Sequence, residues 1–416
     1  MNDVALEDAV AAYLLPNPPA KMGVAVSGGG DSMALLLVLA RLSKRIGFTL
    51  NAISIDHGLR AEAKDEIALV SALCNKLAVD HSAVSWSGWD GIGNLQSRAR
   101  DARYELISNW AKDNEITMVA LGHTGTDQAE TVLMRLARGA GVDGLSAMSA
   151  QRVDAGLTWL RPLLSEDRET LRNFLLRNEI AWADDPSNEN RDFERIRMRD
   201  LLGELAAVGV TVDRLKTVSY NMSDARNALE HYTIRATHEL CVIKHGAVKI
   251  DLAGYNSLPA DIARRLLLRA IMWITDVTYP PRRGAISQLQ ASINKGVSAT
   301  LAGCQVTRKG TQLVVFREPN AVVDHRCELG EVWDGRWRVS SGRTREHLSV
   351  AALGESGIQS APTWRELELP RGAVLSLPAI WHGDNLVALP ALEDQTDWHA
   401  ELTQGTDTFF ATLLSH

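Results

Sequence analysis

Cysteine is scarce and scattered in this chain. Cys74, Cys241, Cys304 and Cys327 lie far apart with no CxxC pair. That pattern argues against a zinc ribbon or an iron–sulfur site and for reduced thiols in a cytosolic compartment. Long apolar runs are missing too. The longest, around Met33 to Leu42, already carries Arg41 near its end and falls short of the roughly 20 residues that cross a bilayer. Residues 1–15 hold Asp3, Glu7 and Asp8 without a basic segment, so they do not read as a signal peptide. A cytoplasmic protein without a membrane partner is the expectation. Excess positive charge is also absent: the net charge is −7. Net charge is a weak veto on nucleic acid, because phosphate binding depends on local patches. Arginine clusters locally at Arg191, Arg195, Arg197 and Arg199, at Arg264–Arg265, at Arg282–Arg283, and at Arg336, Arg338, Arg343 and Arg345. Each cluster taken alone reads first as a solvated face, with phosphate contact as the alternative.

With 416 residues the chain exceeds one ordinary core, and two or three domains are expected. Its first half alternates strand-like and helix-like stretches. Strands are expected at Lys21–Val26, Leu50–Ile55, Ala83–Trp86 and Thr117–Leu121. Helices are expected at Ser32–Ser43, Glu62–Leu77, Asn94–Asp113 and about Thr126–Arg138. This is the α/β class, a parallel sheet covered on both faces, with ligands bound beyond the carboxyl ends of its strands. The pattern changes near residue 200. A long helix is expected at Asp213–Leu240, then hairpins at Cys241–Leu252 and Thr300–Phe316 around the helices Pro259–Thr275 and Arg283–Lys295. Past Pro319 the pieces are short and β-like, with Trp333, Trp337, Trp364, Trp381 and Trp398 as candidate core. The expected division is a catalytic domain over 1–200, a mainly helical domain over 201–318 and a small β-rich domain over 319–416.

The strongest motif is Ser27-Gly28-Gly29-Gly30-Asp31-Ser32, between a strand and a helix. Consecutive glycines let backbone N–H groups converge on an anion, and the helix adds its positive end. It is neither GxxxxGK[ST] nor GxGxxG. An aspartate inside a phosphate loop repels its ligand unless a cation intervenes, so Asp31 is a candidate Mg²⁺ ligand. The alternative is a glycine turn in which Asp31 and Ser32 cap the helix. A second constellation runs from Gly122-His123 through Asp127-Gln128-Ala129-Glu130-Thr131. Asp127 and Glu130, three apart, share one helix face near the sheet's ligand edge. They can share a metal, hold an ammonium, or simply favour the helix N-terminus.

The hexapeptide resembles the SGGxDS loop of the PP-loop ATP pyrophosphatases, adenine nucleotide α-hydrolase-like enzymes that split ATP between its α- and β-phosphates. More motifs follow in order: Asp56-His57-Gly58, Arg100 to Arg103-Tyr104, the Gly122–Thr131 block, Arg138 to Gly144-Leu145, Arg161-Pro162-Leu163-Leu164 and Asp185-Pro186-Ser187-Asn188. Together, over about residues 20–200, they resemble the tRNA(Ile)-lysidine synthetase family. Thr126 departs from the acidic residue common there, and Phe193-Glu194 from Arg-Asn. The tRNA thiolation branch usually has a CxxC site, which this chain lacks.

The resemblance implies a ligase that uses ATP and Mg²⁺ to join free L-lysine to carbon 2 of the wobble cytidine of a CAU-anticodon tRNA(Ile), through an adenylated tRNA. Ser27, Gly28, Gly29, Gly30, Asp31 and Ser32 would hold the phosphates, with Asp31 on the metal. His57, Gly122 and His123 would adjoin the adenosine. Arg103 would neutralise charge at the α-phosphate, and by resemblance Asp127 and Glu130 would grip the lysine. Arg191, Arg195, Arg197 and Arg199 are expected at tRNA, as are the later domains. A homodimer stays open. The competing readings are a PP-loop enzyme acting on a small molecule or on a different tRNA base, and an ATP sensor without turnover.

Overall fold

A computed structural model describes residues 3–58, 63–89, 95–154, 156–184, 194–277, 280–341, 347–391 and 397–411. The expected Asp185–Asn188 motif, Arg191, Arg343 and Arg345 lie outside the described residues. The chain divides into two compact units, with the boundary after Arg226.

The first unit is built on a six-stranded sheet. Its strands are β1 (Lys21–Ala25), β2 (Thr49–Asp56), β3 (Asp80–Ser85), β4 (Met118–Leu121), β5 (Gln151–Asp154) and β6 (Leu157–Leu160). The order is β3-β2-β1-β4-β6-β5; β5 alone runs antiparallel, along the edge. The chain steps outward from β1 to β3, then returns to the far side of β1 with β4. β1 and β4 are thus neighbours whose connections leave in opposite directions, which opens a ligand crevice at their carboxyl ends. The helices are α1 (Asp3–Ala11), α2 (Gly30–Leu42), α3 (Ala63–Leu77), α4 (Leu95–Asp113), α5 (Gly125–Ala137), α6 (Val142–Leu145), α7 (Arg168–Arg177), α8 (Glu194–Ala206) and α9 (Val212–Leu240). α2 is apolar on nearly every side, and a helix so composed has to be buried. It packs with Leu6 and Val10 of α1 and with Leu171, Phe174 and Leu175 of α7 in one core. That burial fixes the start of α2, and with it the glycine loop.

The eight strands and helices expected in residues 20–138 are all present with ends within a few residues. β5 and β6, each four residues long, form an edge hairpin that the sequence pattern does not predict. No described helix is long and apolar enough to cross a membrane.

The second unit takes in α9 from Asn227 onward and continues with β7 (Cys241–Lys244), β8 (Ala247–Asp251), α10 (Leu252–Ser257), α11 (Ala260–Thr275), α12 (Arg283–Asn294), β9 (Ala299–Leu301), β10 (Cys304–Lys309) and β11 (Gln312–Arg317). These strands form an antiparallel sheet, β7-β8-β11-β10-β9, with helix residues such as Leu266, Ile271 and Ile286 in the same core as Ile250 and Val315. The expected hairpin at Thr300–Phe316 is three strands, because Ala302 and Gly303, with φ of 50° and 76°, make an extra turn. Two small antiparallel sheets follow, of four and three strands. Trp333, Trp337, Trp381 and Trp398 are buried in their core with Trp364 packed against it, the packing role expected of them. Asp334 is 2% exposed and accepts two hydrogen bonds from Arg317, both 2.8 Å, with His325 Nδ1 at 3.2 Å. Arg317→Ala strands a buried carboxylate and is expected to cost this unit about 3–5 kcal/mol in urea denaturation; a loss below about 1 kcal/mol would show that Asp334 finds water instead.

Candidate active site

The glycine loop links β1 to α2. Gly28 has φ +86°, and a Cβ there would stand 3.1 Å from Glu66 Cβ, so a side chain is excluded by both conformation and space. Ser32 Oγ donates to Gly29 O at 2.9 Å and accepts from Ser27 N–H at 3.1 Å, closing the loop on itself. The backbone N–H of Ala183 donates to Gly28 O at 3.0 Å, which ties a strap of residues 182–184 across the loop. The first turn of α2 has no intrahelical acceptors for its N–H groups, which therefore face the crevice together with the helix's positive end. Gly122, just past β4, lies so close to this turn that a Cβ would come within 3.0 Å of Ser32 N and Cα. The loop after β4 is thereby pressed against the first turn of α2.

That second loop starts α5 with a reciprocal cap. Asp127 Oδ2 accepts from Thr124 N–H at 2.8 Å and Thr124 Oγ at 3.0 Å. Beyond the N-terminal helix preference expected of these acids, one oxygen of Asp127 caps the helix. The other, Oδ1, accepts from Arg168 Nη2 at 3.1 Å and has Arg195 Nη2 at 3.8 Å. Arg168 Nε also donates to Asp31 Oδ2 at 3.1 Å. Glu130 is fully buried, with Arg199 Nε at 2.9 Å and Arg195 Nε at 3.4 Å. A continuous chain of alternating charge thus runs Asp31, Arg168, Asp127, Arg195, Glu130, Arg199.

These residues border a cleft of about 760 Å³, lined by Ser27, Gly29, Gly30, Asp31 and Ser32 on one wall and Gly122, His123 and Asp127 on another. His57, Arg103, Arg168, Arg195 and Arg199 line it as well. Of the residues expected at the site, Glu130 is placed behind the cleft wall, under Arg195 and Arg199. Those two arginines, expected at tRNA, are four apart on α8 and turn the same face to Glu130; Arg197 between them is exposed. Arg168 was missed, and no local spacing could have revealed it: its partners are 137 and 41 residues away in sequence. The Thr124-x-x-Asp127 cap was legible as an N-terminal capping pattern.

The electrostatics follow from burial and pairing. Burial raises the pKa of Asp31, with Arg168 opposing and Asp127 adding to the rise. Burial pushes Asp127 the same way, but Arg168, Arg195 and His123 outweigh it and hold its carboxyl below the usual range. Arg103 is open to the cleft's solvent, yet crowding by surrounding protein lowers its pKa without approaching neutrality for an arginine. Burial, with Arg161, Arg195 and Arg100 adding to it, pulls His123 down to about 3 against an opposing Asp127. Its imidazole is therefore neutral at physiological pH.

Gly122→Ala should displace the first turn of α2 and weaken nucleotide binding at least tenfold while the fold is retained; unchanged affinity in a nucleotide titration would show that the close approach is not needed. The unfolded chain protonates His123 below its ordinary 6.5, the folded chain only near 3. Stability from this residue is thus present above pH 6.5 and lost as pH falls toward 3. Denaturation at several pH values should find a shallower acid loss in His123→Gln than in the parent, and parallel curves would contradict this.

Comparison with known proteins agrees with this geometry. A family model described as a PP-loop domain matches residues 2–205. The tRNA(Ile)-lysidine synthase of Ruegeria pomeroyi is 44% identical over 96% of this chain and 95% of its own. The enzyme of the same name from the Wolbachia of Brugia malayi is 35% identical, covering 84% and 82%, and that of Wolbachia pipientis wMel is 33% identical, covering 89% and 88%. With a glycine loop at the switch point of the sheet and a near full-length likeness to these enzymes, the chain belongs to the tRNA(Ile)-lysidine synthase family.

Proposed function

We propose that this protein ligates free L-lysine to carbon 2 of the wobble cytidine of a CAU-anticodon tRNA(Ile), spending ATP. The carrying observation is the pair formed by the glycine loop and the Asp31–Arg168–Asp127 bridge, which places amide donors for phosphates next to carboxylates suited to an ammonium. In the first step the cytidine's O2 attacks the α-phosphate; the new P–O bond forms as the α–β bond breaks and pyrophosphate leaves. In the second, lysine's ε-amine attacks carbon 2, the C–N bond forms, and AMP departs with the oxygen.

The N–H groups at Gly28 to Ser32 would bind the phosphates, and Arg103 would offset charge developing at the α-phosphate. One oxygen of Asp31 accepts from Arg168. Its other oxygen with phosphate oxygens makes a donor set that fits Mg²⁺, which favours one or two carboxylates and substrate phosphates. The ion would supply charge screening between Asp31 and the triphosphate. Asp127 Oδ1 would orient the lysine ammonium and accept its proton before attack. Glu130 reaches the lysine only through Arg195 and Arg199, so we assign it to holding those side chains in place. His57 and the neutral His123 would adjoin the adenosine. Exposed Arg197, with residues 201–318 and 319–416, would supply tRNA phosphate contacts.

The test is incubation with ATP, radiolabelled lysine and either total tRNA or no RNA. Label should enter tRNA, fall steeply with added salt, and vanish with pyrophosphate release in Asp31→Ala. Pyrophosphate release without RNA would favour a small-molecule substrate, and no turnover at all would favour a sensor.

A further inference from the structure

Arg168 is the first residue of α7, where the helix macrodipole disfavours a cation. Helix stability therefore does not account for an arginine here. Its guanidinium is instead shared between two carboxylates in the first turns of two different helices, α2 and α5: Nε to Asp31 Oδ2 and Nη2 to Asp127 Oδ1, both at 3.1 Å. The side chain keeps 27% of its surface exposed and lines the cleft, so it has room to move. Asp127 Oδ1 is the oxygen assigned above to the lysine ammonium, and Arg168 already occupies it. Arg195, at 3.8 Å from the same oxygen, is beyond hydrogen-bond distance and leaves Arg168 as its close partner.

We propose that Arg168 is a positioning residue that makes lysine binding depend on bound nucleotide: it stands in for the lysine ammonium at Asp127 until the phosphates of ATP draw it toward Asp31 and the glycine loop. The inference rests on the proposed reading of the cleft. The physical cause is a competition. A guanidinium binds phosphate oxygens in strong charge-assisted pairs, so a triphosphate beside Asp31 supplies a better partner than Asp127. Once Arg168 shifts, Asp127 Oδ1 loses its hydrogen-bonding cation and keeps only Arg195 at 3.8 Å, and free lysine provides the missing donor. Before ATP binds, lysine has to displace a side chain that pays no entropy of association. The order that results is nucleotide first, lysine second. It keeps the amine away from the site until there is something to activate the tRNA.

The test measures binding of labelled L-lysine to the full chain by equilibrium dialysis, with and without the Mg²⁺ complex of α,β-methylene-ATP, in the parent, Arg168→Gln and Arg168→Lys. In the parent the analogue is expected to tighten lysine binding about 5- to 150-fold, the usual span of coupling between sites. Arg168→Gln should bind lysine without nucleotide and respond to the analogue less than about twofold. Arg168→Lys keeps a cation but cannot bridge both carboxylates, and should fall between. Lysine binding in the parent that ignores the analogue, or full coupling in either variant, would overturn the proposal; should Arg168→Gln fail to fold, the lysine variant alone decides. Transfer of lysine to tRNA by the parent is measured alongside. Transfer without coupling would sink the role of Arg168 and leave the enzyme reading intact, whereas no transfer would sink both.

Discussion

Asp31 and Asp127 line one cleft with Glu130 buried behind its wall, and each needs a cation before that crowding is tolerable. Arg168, Arg195 and Arg199 provide it. Burying a carboxylate without a partner costs several kcal/mol, and pairing recovers the loss only when the geometry is good. Glu130, wholly buried, accepts a hydrogen bond from Arg199 on one oxygen and has Arg195 at 3.4 Å from the other. The first unit is arranged to deliver these side chains: α2 and α5 bring the acids to the crevice, while α7 and α8 supply the bases. If this ladder were absent, Asp31 and Asp127 would repel both each other and the ligand.

Close approach is the second requirement. The start of α2 and the loop after β4 nearly touch, and a Cβ at Gly122 would come within 3.0 Å of Ser32. α2 is pinned from behind by an apolar surface buried along almost its full length. Rigidity at the core thus serves precision at the rim, and the strap through Ala183 adds a backbone tie from outside. His123, held neutral by burial, adds no net charge to a cleft already balanced between acids and bases.

Much of this was legible in the sequence because its signals are local. The glycine run, the apolar run of α2 and the three-residue spacing of Asp127 and Glu130 each report a conformation within a dozen residues. The tryptophans past Glu331 pointed to a β-rich core for the same reason. The edge hairpin β5–β6 was not legible in the sequence. Nor was the partnership of Arg168, Arg195 and Arg199 with the acids, because pairing across as many as 137 residues leaves no trace in spacing. The arginines were visible as a cluster, and a cluster near a predicted nucleic-acid enzyme invites assignment to phosphate. Only the fold reveals that two of them turn inward to Glu130, leaving Arg197 to face solvent.

The account stands or falls on where the nucleotide sits. A crystal structure of the full chain with Mg²⁺, α,β-methylene-ATP and lysine is the most direct measurement. The account predicts phosphates on the amides of Gly28 to Ser32, the metal between them and Asp31, and the lysine ammonium against Asp127. Nucleotide bound elsewhere, with that glycine loop closed on its own helix, would contradict it.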